Sequence, residues 1–413
     1  MVNQVWKDKG LPKGLINKEV TTAFAKHLLK AVDEGFGSPL LRGGAGGGVV
    51  DYDTPDFTML KSLQENTWQF AAAKNYTQLR ELSDALLDEN GKLRSFNDFK
   101  TVANSINDKH VGRYLNAEYE HAVSSSQMAS KWVDIEKNNP KLLEFDAVMD
   151  AGTSAICANL NGTRLPVSHP FWNRYYPPNH FGCRSTVREL YSGVATVENK
   201  IPTANIQPLF QTNLAKDGLV YPKGHTYFKD MPKEVIIKLN SKAKILAKQS
   251  VYDLPIEEQF DTIYESKTGG IVKQHKLHLP KPKDVNDDYF DIIDASKLFA
   301  NKGDIVEILP EIHVTEEKAR KLILKSFTND SANPDYRING IYMDLKRPKK
   351  HNIVHKAIEA TEQESIPIIK CKEGLLSNEE IKYYTSEIFG DINFKKDEVY
   401  FINGQKLINQ KRD

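Results

Sequence analysis

Apolar residues recur at helical spacing through the first 140 positions. In "NKEVTTAFAKHLLKAVDEGFG" an asparagine cap precedes Val20, Phe24, Leu28 and Val32, and Gly35 and Gly37 supply a stop. "TPDFTMLKSLQENTWQFAAAKNYTQLRELSDALLD" predicts a second long helical region, "SFNDFKTVANSIND" a third and "VGRYLNAEYEHAVSSSQMASKWVDIEKNN" a fourth. Tyr114, Tyr119 and Trp132 fall on its apolar positions and read as core rather than as a binding box. The intervening "SPLLRGGAGGGVVDYD" reads as a flexible connector, because it lacks the Lys-Ser/Thr ending and the leading strand of a phosphate-binding loop.

From Leu142 the period shortens. "LLEFDAVMDAGTSAICANLNGTRLP" and "STVRELYSG" are strand-like runs broken by turn residues, with a Pro- and aromatic-rich stretch between them. Residues 191–232 are looser and proline-bearing, and "PKEVIIKLNSKAKILAKQS" predicts a connecting helix near a domain boundary. Beyond about residue 265 strand and helix alternate: "GGIVKQHKLHL", "VNDDYFDIIDASKLFANKG", "DIVEILPEIHV", "DYRI", "IYMDLKR", "NIVHKAIEATEQ" and "IPIIKC". A helix, "NEEIKYYTSEIFG", and a strand-turn-strand, "EVYFINGQKLI", close the run. The pattern predicts a multidomain chain: 1–140 helical, 141–240 a small β-containing part, 241–264 a linker helix and connector, and 265–413 an α/β domain with a mixed sheet.

At 413 residues the chain exceeds what one core usually serves, which agrees with that division. The formal net charge of +1 gives no global sign of a nucleic-acid partner, so local charge has to decide. Three widely spaced cysteines, Cys157, Cys183 and Cys371, argue against a disulfide framework and for a reducing compartment. No apolar run reaches membrane-spanning length and the first residues lack the apolar core of a signal peptide, so a soluble protein made in the cytoplasm is expected.

"HPFWNRYYPPNHFGCRSTV", residues 169–187, places His180 and Cys183 three positions apart after two prolines. With Cys157 and His169 these could form a zinc half-site; the reading favoured here is a structural knot in which His180, Phe171, Trp172, Tyr175 and Tyr176 hold a loop against the sheet. The stretch resembles the signature of the phage Mu F-like head morphogenesis proteins. The matching positions are Asp150, Leu160, Gly162, Phe171, Trp172, Pro177, Pro178, His180, Cys183 and Arg184. Ser185 stands where that signature has a second cysteine, and Cys157 where a histidine is common. The resemblance runs from about residue 10 to 240 and implies an α-rich α+β module of the phage or prophage virion. Its implied partners are portal and capsid proteins, with no catalysis in this half.

In the C-terminal domain "NPDYRINGIYMDLKRPKK" sets Asp335 and Asp344 on two strands joined by an Asn339-Gly340 turn. Strand alternation puts Asp344 and Lys346 on one face. Two carboxylates that could hold a divalent cation, with a lysine beside them, are what metal-dependent phosphodiester cleavage requires. The arrangement resembles the PD-(D/E)xK nucleases, especially those of contact-dependent inhibition toxins, with Gln363 matching a glutamine after a later helix. The resemblance implies a restriction-endonuclease-like toxin domain. Asp335 and Asp344 would be its metal ligands, Mg²⁺ foremost, and Lys346 a catalytic residue, with Asp291 or Asp294 completing the site. It also implies a nucleic-acid substrate, tRNA foremost, a cognate immunity protein, and action in the host cytoplasm. Arg347, Lys349 and Lys350 follow as phosphate contacts. Two rivals stand beside this reading. One is a purely structural head protein. The other is a metal-independent RNase using His275, His278 or Lys346, although histidines three apart on a strand would face opposite sides. Cys371, at a strand end, reads as buried rather than nucleophilic.

Overall fold

The computed structural model describes residues 1–37, 55–279, 288–325, 327–329 and 332–412, so the glycine-rich connector lies outside the described residues. Contacts separate the chain into two units that meet in sequence between Ala247 and Lys248. That boundary falls within the helix Lys233–Tyr252 rather than after it. Among the described residues no helix is long and apolar enough to cross a membrane.

The first unit is built on the long helices Lys18–Phe36, Pro55–Asp84 and Leu115–Asn138, with Phe96–Asp108 and a short helix, Val2–Asp8, beside them. Asn17 caps the first long helix as its sequence predicts, its side chain accepting from the Val20 N–H at 2.9 Å. Phe24, Leu28, Phe36, Phe70 and Trp132 fill the core, and the small residues Ala71, Ala72, Ala73, Ala122 and Ala129 let backbones approach. Gly35 does not stop its helix. A Cβ at that position would lie 2.2 Å from the Val123 carbonyl oxygen, so the residue is a point of close helix approach. A π-helical turn, Lys109–Tyr114, joins the last two helices and brings Lys109 and His110 to Glu81 at 2.9 and 3.2 Å. Those contacts, His110 first, draw the Glu81 carboxyl down to about 2.

Inside this core Lys74 is wholly buried, with its ammonium 2.8 Å from a Glu118 carboxylate oxygen and the Tyr227 hydroxyl donating to the same carboxylate at 2.7 Å. The small sheet has the order β2-β1-β3, from β1 (Leu142–Asp146), β2 (Arg164–Leu165) and β3 (Thr186–Leu190), all antiparallel. Buried Glu144 on β1 pairs with Arg164 on one neighbour and Arg188 on the other, which ties the three strands across their register. The segment Ala155–Leu160, expected within a strand-like run, is a short helix capped by Ser154.

The second unit carries one eight-stranded mixed sheet in sequential order, from β4 (Phe260–Glu265), β5 (Ile271–His275), β6 (Ile305–Ile308) and β7 (Tyr336–Ile338) to β8 (Ile341–Lys346), β9 (Ile366–Lys370), β10 (Glu398–Asn403) and β11 (Lys406–Lys411). β4, placed by sequence in the connector, pairs antiparallel with β5 and shifts register between Thr262 and Tyr264. β6, β7 and β8 are antiparallel, and β9 joins β8 in parallel through the helix Ile353–Glu362. With the helix Tyr289–Ala300 ahead of β6 and a short helix between β6 and β7, the central run is αβαββαβ. The helix Glu317–Ile323, between β6 and β7, is a further element that the sequence reading did not include.

Candidate functional site

Asn339 and Gly340 adopt positive φ of 48° and 87°, the backbone a two-residue hairpin turn demands, and they set Ile338 opposite Ile341. This register carries Asp335 to the start of β7 and Asp344 to the middle of β8. The loop ahead of Asp335 is fixed by buried Arg320, whose guanidinium donates to the carbonyls of Ile312, Asn329 and Ala332. Asp335 Oδ2 accepts from the Leu345 N–H at 2.7 Å, which holds the two carboxyl groups side by side. Burial first, and the charge of Asp344 next, push the Asp335 carboxyl well above the usual carboxylate range.

Met343 and Leu345 point into the core, while Asp344 and Lys346 share the other face. Lys346 Nζ lies 2.8 Å from Asp344 Oδ2, 2.9 Å from Gln363 Oε1 and 3.3 Å from Glu359 Oε1. Burial works against its charge, but the carboxylates of Asp344 and Glu359 outweigh it and hold the ammonium above its usual range. Lys346 is therefore a cation at neutral pH, suited to neutralising phosphate charge rather than to taking a proton.

Asp291 sits elsewhere in its charge pairing, with Arg347 Nη1 2.7 Å away and Lys370 Nζ on its other oxygen. Its carboxyl is lowered although burial opposes the shift, because both cations bond to it. Asp294 is exposed. Two acids share a cavity with Asp335: Asp288, which precedes the helix Tyr289–Ala300, and Glu311; His278, Tyr289 and Asn333 also line this space of about 80 Å³. Sequence reasoning missed Asp288, although its position at the helix cap was the available signal. It also missed Glu359. Of the basic run, Arg347 pairs with Asp291, Lys350 reaches Glu380 at 2.5 Å, and Lys349 is exposed.

β5 ends at His275, and a turn intervenes before His278, so strand alternation does not relate the two. His275 is buried with Nε2 3.1 Å from Gln259 Oε1, and burial lowers it to about 3. His278 faces the cavity and stacks on Tyr289 at 5.2 Å. Cys371 is buried just past β9, as expected.

In the first unit the aromatic stretch forms the expected knot. Phe171, Trp172, Tyr175 and Tyr176 are buried, Trp172 Nε1 donates to the Pro166 carbonyl at 3.1 Å, and Tyr176 donates to the Met128 carbonyl at 3.0 Å. His180 departs from that role. Its Nε2 lies 3.4 Å from Cys157 Sγ and 2.9 Å from Ser154 Oγ, and the two sulfurs are 3.7 Å apart. His169 is not in the cluster: its Nδ1 accepts from the Phe171 N–H, and Nε2 faces Glu198 at 3.7 Å. Asp150 binds Arg184 through both carboxylate oxygens, at 2.5 and 2.8 Å, across the same loops.

Residues 90–188 match the family model described as Phage Mu protein F like protein. No curated protein and no solved structure matches the chain. The Mu F-like segment runs from the turn before the helix Phe96–Asp108 to β3, so it contains the Glu144 arginine bridge, the aromatic knot and the Cys157, His180 and Cys183 cluster. It is shorter than the span of about 10 to 240 expected from sequence, and all of β4–β11 lies outside it. Within the Mu F-like segment, Cys157 is drawn down, chiefly by hydrogen bonding with Cys183, with His180 and Ser154 adding, while Cys183 is raised in turn.

Proposed function

We infer that this chain is a minor head protein of a tailed phage or prophage, its Mu F-like segment engaging capsid or portal components. Its C-terminal unit is a metal-dependent nuclease of the restriction-endonuclease-like class. The match over residues 90–188 supports the first half. The nuclease reading rests on one observation: Asp335, Asp344, Lys346 and Gln363 converge from the β7–β8 hairpin and the end of the helix that follows it.

The donor set suits a hard divalent cation. Two neighbouring carboxyl groups, one of them raised by burial and then by the other's charge, would gain from a cation, and Mg²⁺ requires few protein ligands because it keeps its waters. When bound, it supplies Lewis acidity toward a phosphate and a water of lowered pKa. Asp335 and Asp344 would hold it; the Leu345 N–H fixes Asp335, and Gln363 and Glu359 aim Lys346. Lys346, protonated, offsets charge on the scissile phosphate. Lys349 is exposed to contact the backbone of a nucleic acid, tRNA foremost, and an immunity protein would protect the host. The metal-independent alternative is weaker, because His275 is buried and bonded to Gln259.

The test is incubation of the full chain with tRNA and with plasmid DNA, in Mg²⁺ and in EDTA. Cleavage in Mg²⁺ only, abolished by Asp344→Asn, is the expected result. Cleavage that persists in EDTA sinks the metal mechanism, and a folded protein that cuts neither substrate leaves the purely structural reading.

A further inference from the structure

The nuclease reading leaves Cys157, His180 and Cys183 without a task. Among the described residues they are the one group of three or more metal-ligating side chains whose ligand atoms all fall within 4.8 Å of one another. Cys157 and Cys183 are buried and His180 is half-buried, so the cluster is shielded on its sulfur side and open on its imidazole side.

The spacing identifies what the cluster suits. Two thiolates bound to one zinc ion at about 2.3 Å and at the tetrahedral angle stand about 3.8 Å apart, and a thiolate and an imidazole nitrogen about 3.6 Å apart. The observed separations are 3.7 Å between the sulfurs and 3.4 Å between Cys157 Sγ and His180 Nε2. A disulfide would need the sulfurs at about 2.05 Å. The ring of His180 is also oriented for ligation. Its Nδ1 lies 2.8 Å from the Phe181 carbonyl oxygen, which can only accept, so Nδ1 carries the hydrogen and the lone pair of the neutral ring sits on Nε2, facing the sulfurs.

The supports around the ligands are fixed independently of them. Gly182, at φ 70°, lets the chain turn tightly between His180 and Cys183, and the Cys183 N–H returns to the His180 carbonyl at 3.2 Å. Asp150 fastens the loop leading to Cys157 onto Arg184, the residue after Cys183, and accepts from the Gly152 N–H at 2.8 Å. The two segments that contribute ligands are thereby clamped together before any ion arrives.

We propose that Cys157, His180 and Cys183 hold a zinc ion with water in the fourth position, stapling the helix Ala155–Leu160 to the 180–183 turn. On binding, the two thiols give their protons to solvent and the thiolates take the ion.

The experiment uses the full chain, first as purified and then with Co²⁺ exchanged for zinc. Expected are about one zinc per chain and, after exchange, the near-ultraviolet thiolate-to-cobalt charge-transfer band of a thiolate site. Cys183→Ala and His180→Ala should each lose most of both signals, whereas Cys371→Ala and Asp344→Asn should retain them. Retention in Asp344→Asn also separates this site from the proposed nuclease centre. If the variants do not fold, the wild-type chain decides: a mercurial titration should release zinc in step with its cysteine thiols. A wild-type protein with no thiolate band, with Cys157 joined to Cys183 as a disulfide, or with both alkylated freely in excess zinc overturns the proposal.

Discussion

Lys346 Nζ and Gln363 Oε1 lie 2.9 Å apart, joining strand β8 to the residue that closes the helix Ile353–Glu362. An amide oxygen can orient an ammonium without neutralising it, so Gln363 acts as a positioning residue for Lys346. In the proposed nuclease, Lys346→Met should lower nucleic-acid cleavage about a hundredfold to a thousandfold, as for loss of one transition-state charge partner. Gln363→Ala should cost less, up to about a hundredfold, with Mg²⁺ dependence unchanged. Initial rates at saturating Mg²⁺, with circular dichroism as the folding control, compare the two. Full activity in Lys346→Met would remove it from the mechanism.

The buried pair Lys74 and Glu118 yields a stability prediction with a definite sign. The ammonium is wholly buried and the carboxylate nearly so, and removing one partner strands the other charge in the core. Lys74→Met should cost about 3–5 kcal/mol, while Lys74→Met with Glu118→Leu should recover much of that loss. Tyr227 tempers the recovery, because its hydroxyl would lose the Glu118 acceptor. Guanidinium unfolding of the wild type, Lys74→Met, Glu118→Leu and the double variant gives the coupling energy, and simple additivity of the two changes would refute it.

His121 makes the first unit sensitive to acid. It is fully enclosed, its Nε2–H donates to the Val220 carbonyl at 3.1 Å, and the ring meets Phe181, Phe210 and Tyr221. Burial lowers it from 6.5 to about 4, and the neighbouring His225 is lowered likewise. Because the folded pKa is depressed, the unfolded chain binds the proton first. Stability is complete above pH 6.5 and falls as pH drops toward 4, by roughly 3 kcal/mol for His121 alone. Unfolding midpoints across that window should slope less in His121→Gln than in the wild type, and equal slopes would dismiss His121 as the sensor.

Local chemistry was legible in the sequence, and distant convergence was not. The Asn17 cap, the Asn339-Gly340 turn and the shared face of Asp344 and Lys346 each depend on a few neighbouring residues, and each is present. Gln363, matched by the resemblance only as a glutamine after a later helix, meets Lys346, and Asp288 rather than Asp291 shares the cavity with Asp335. That difference turns on which residue begins a helix, and boundaries are where patterns are least sharp. Lys74 reads as a surface lysine in "AAAKNY", because no short-range signal announces Glu118 and Tyr227 from other elements. His169 and His180 look equivalent as ligands in the sequence; only packing sends one toward Glu198 and the other toward the sulfurs.

The register break in β4 has a consequence for crowding. β4 and β11 are the outer strands of the eight-stranded sheet, and an unpaired flat strand invites a second chain to add itself. β4 answers with a bulge between Thr262 and Tyr264, and β11 with the polar series Asn409, Gln410 and Lys411. Both margins of the sheet are thus poor templates for extension, and copies of this chain held close together can remain separate molecules instead of merging into one continuous ribbon.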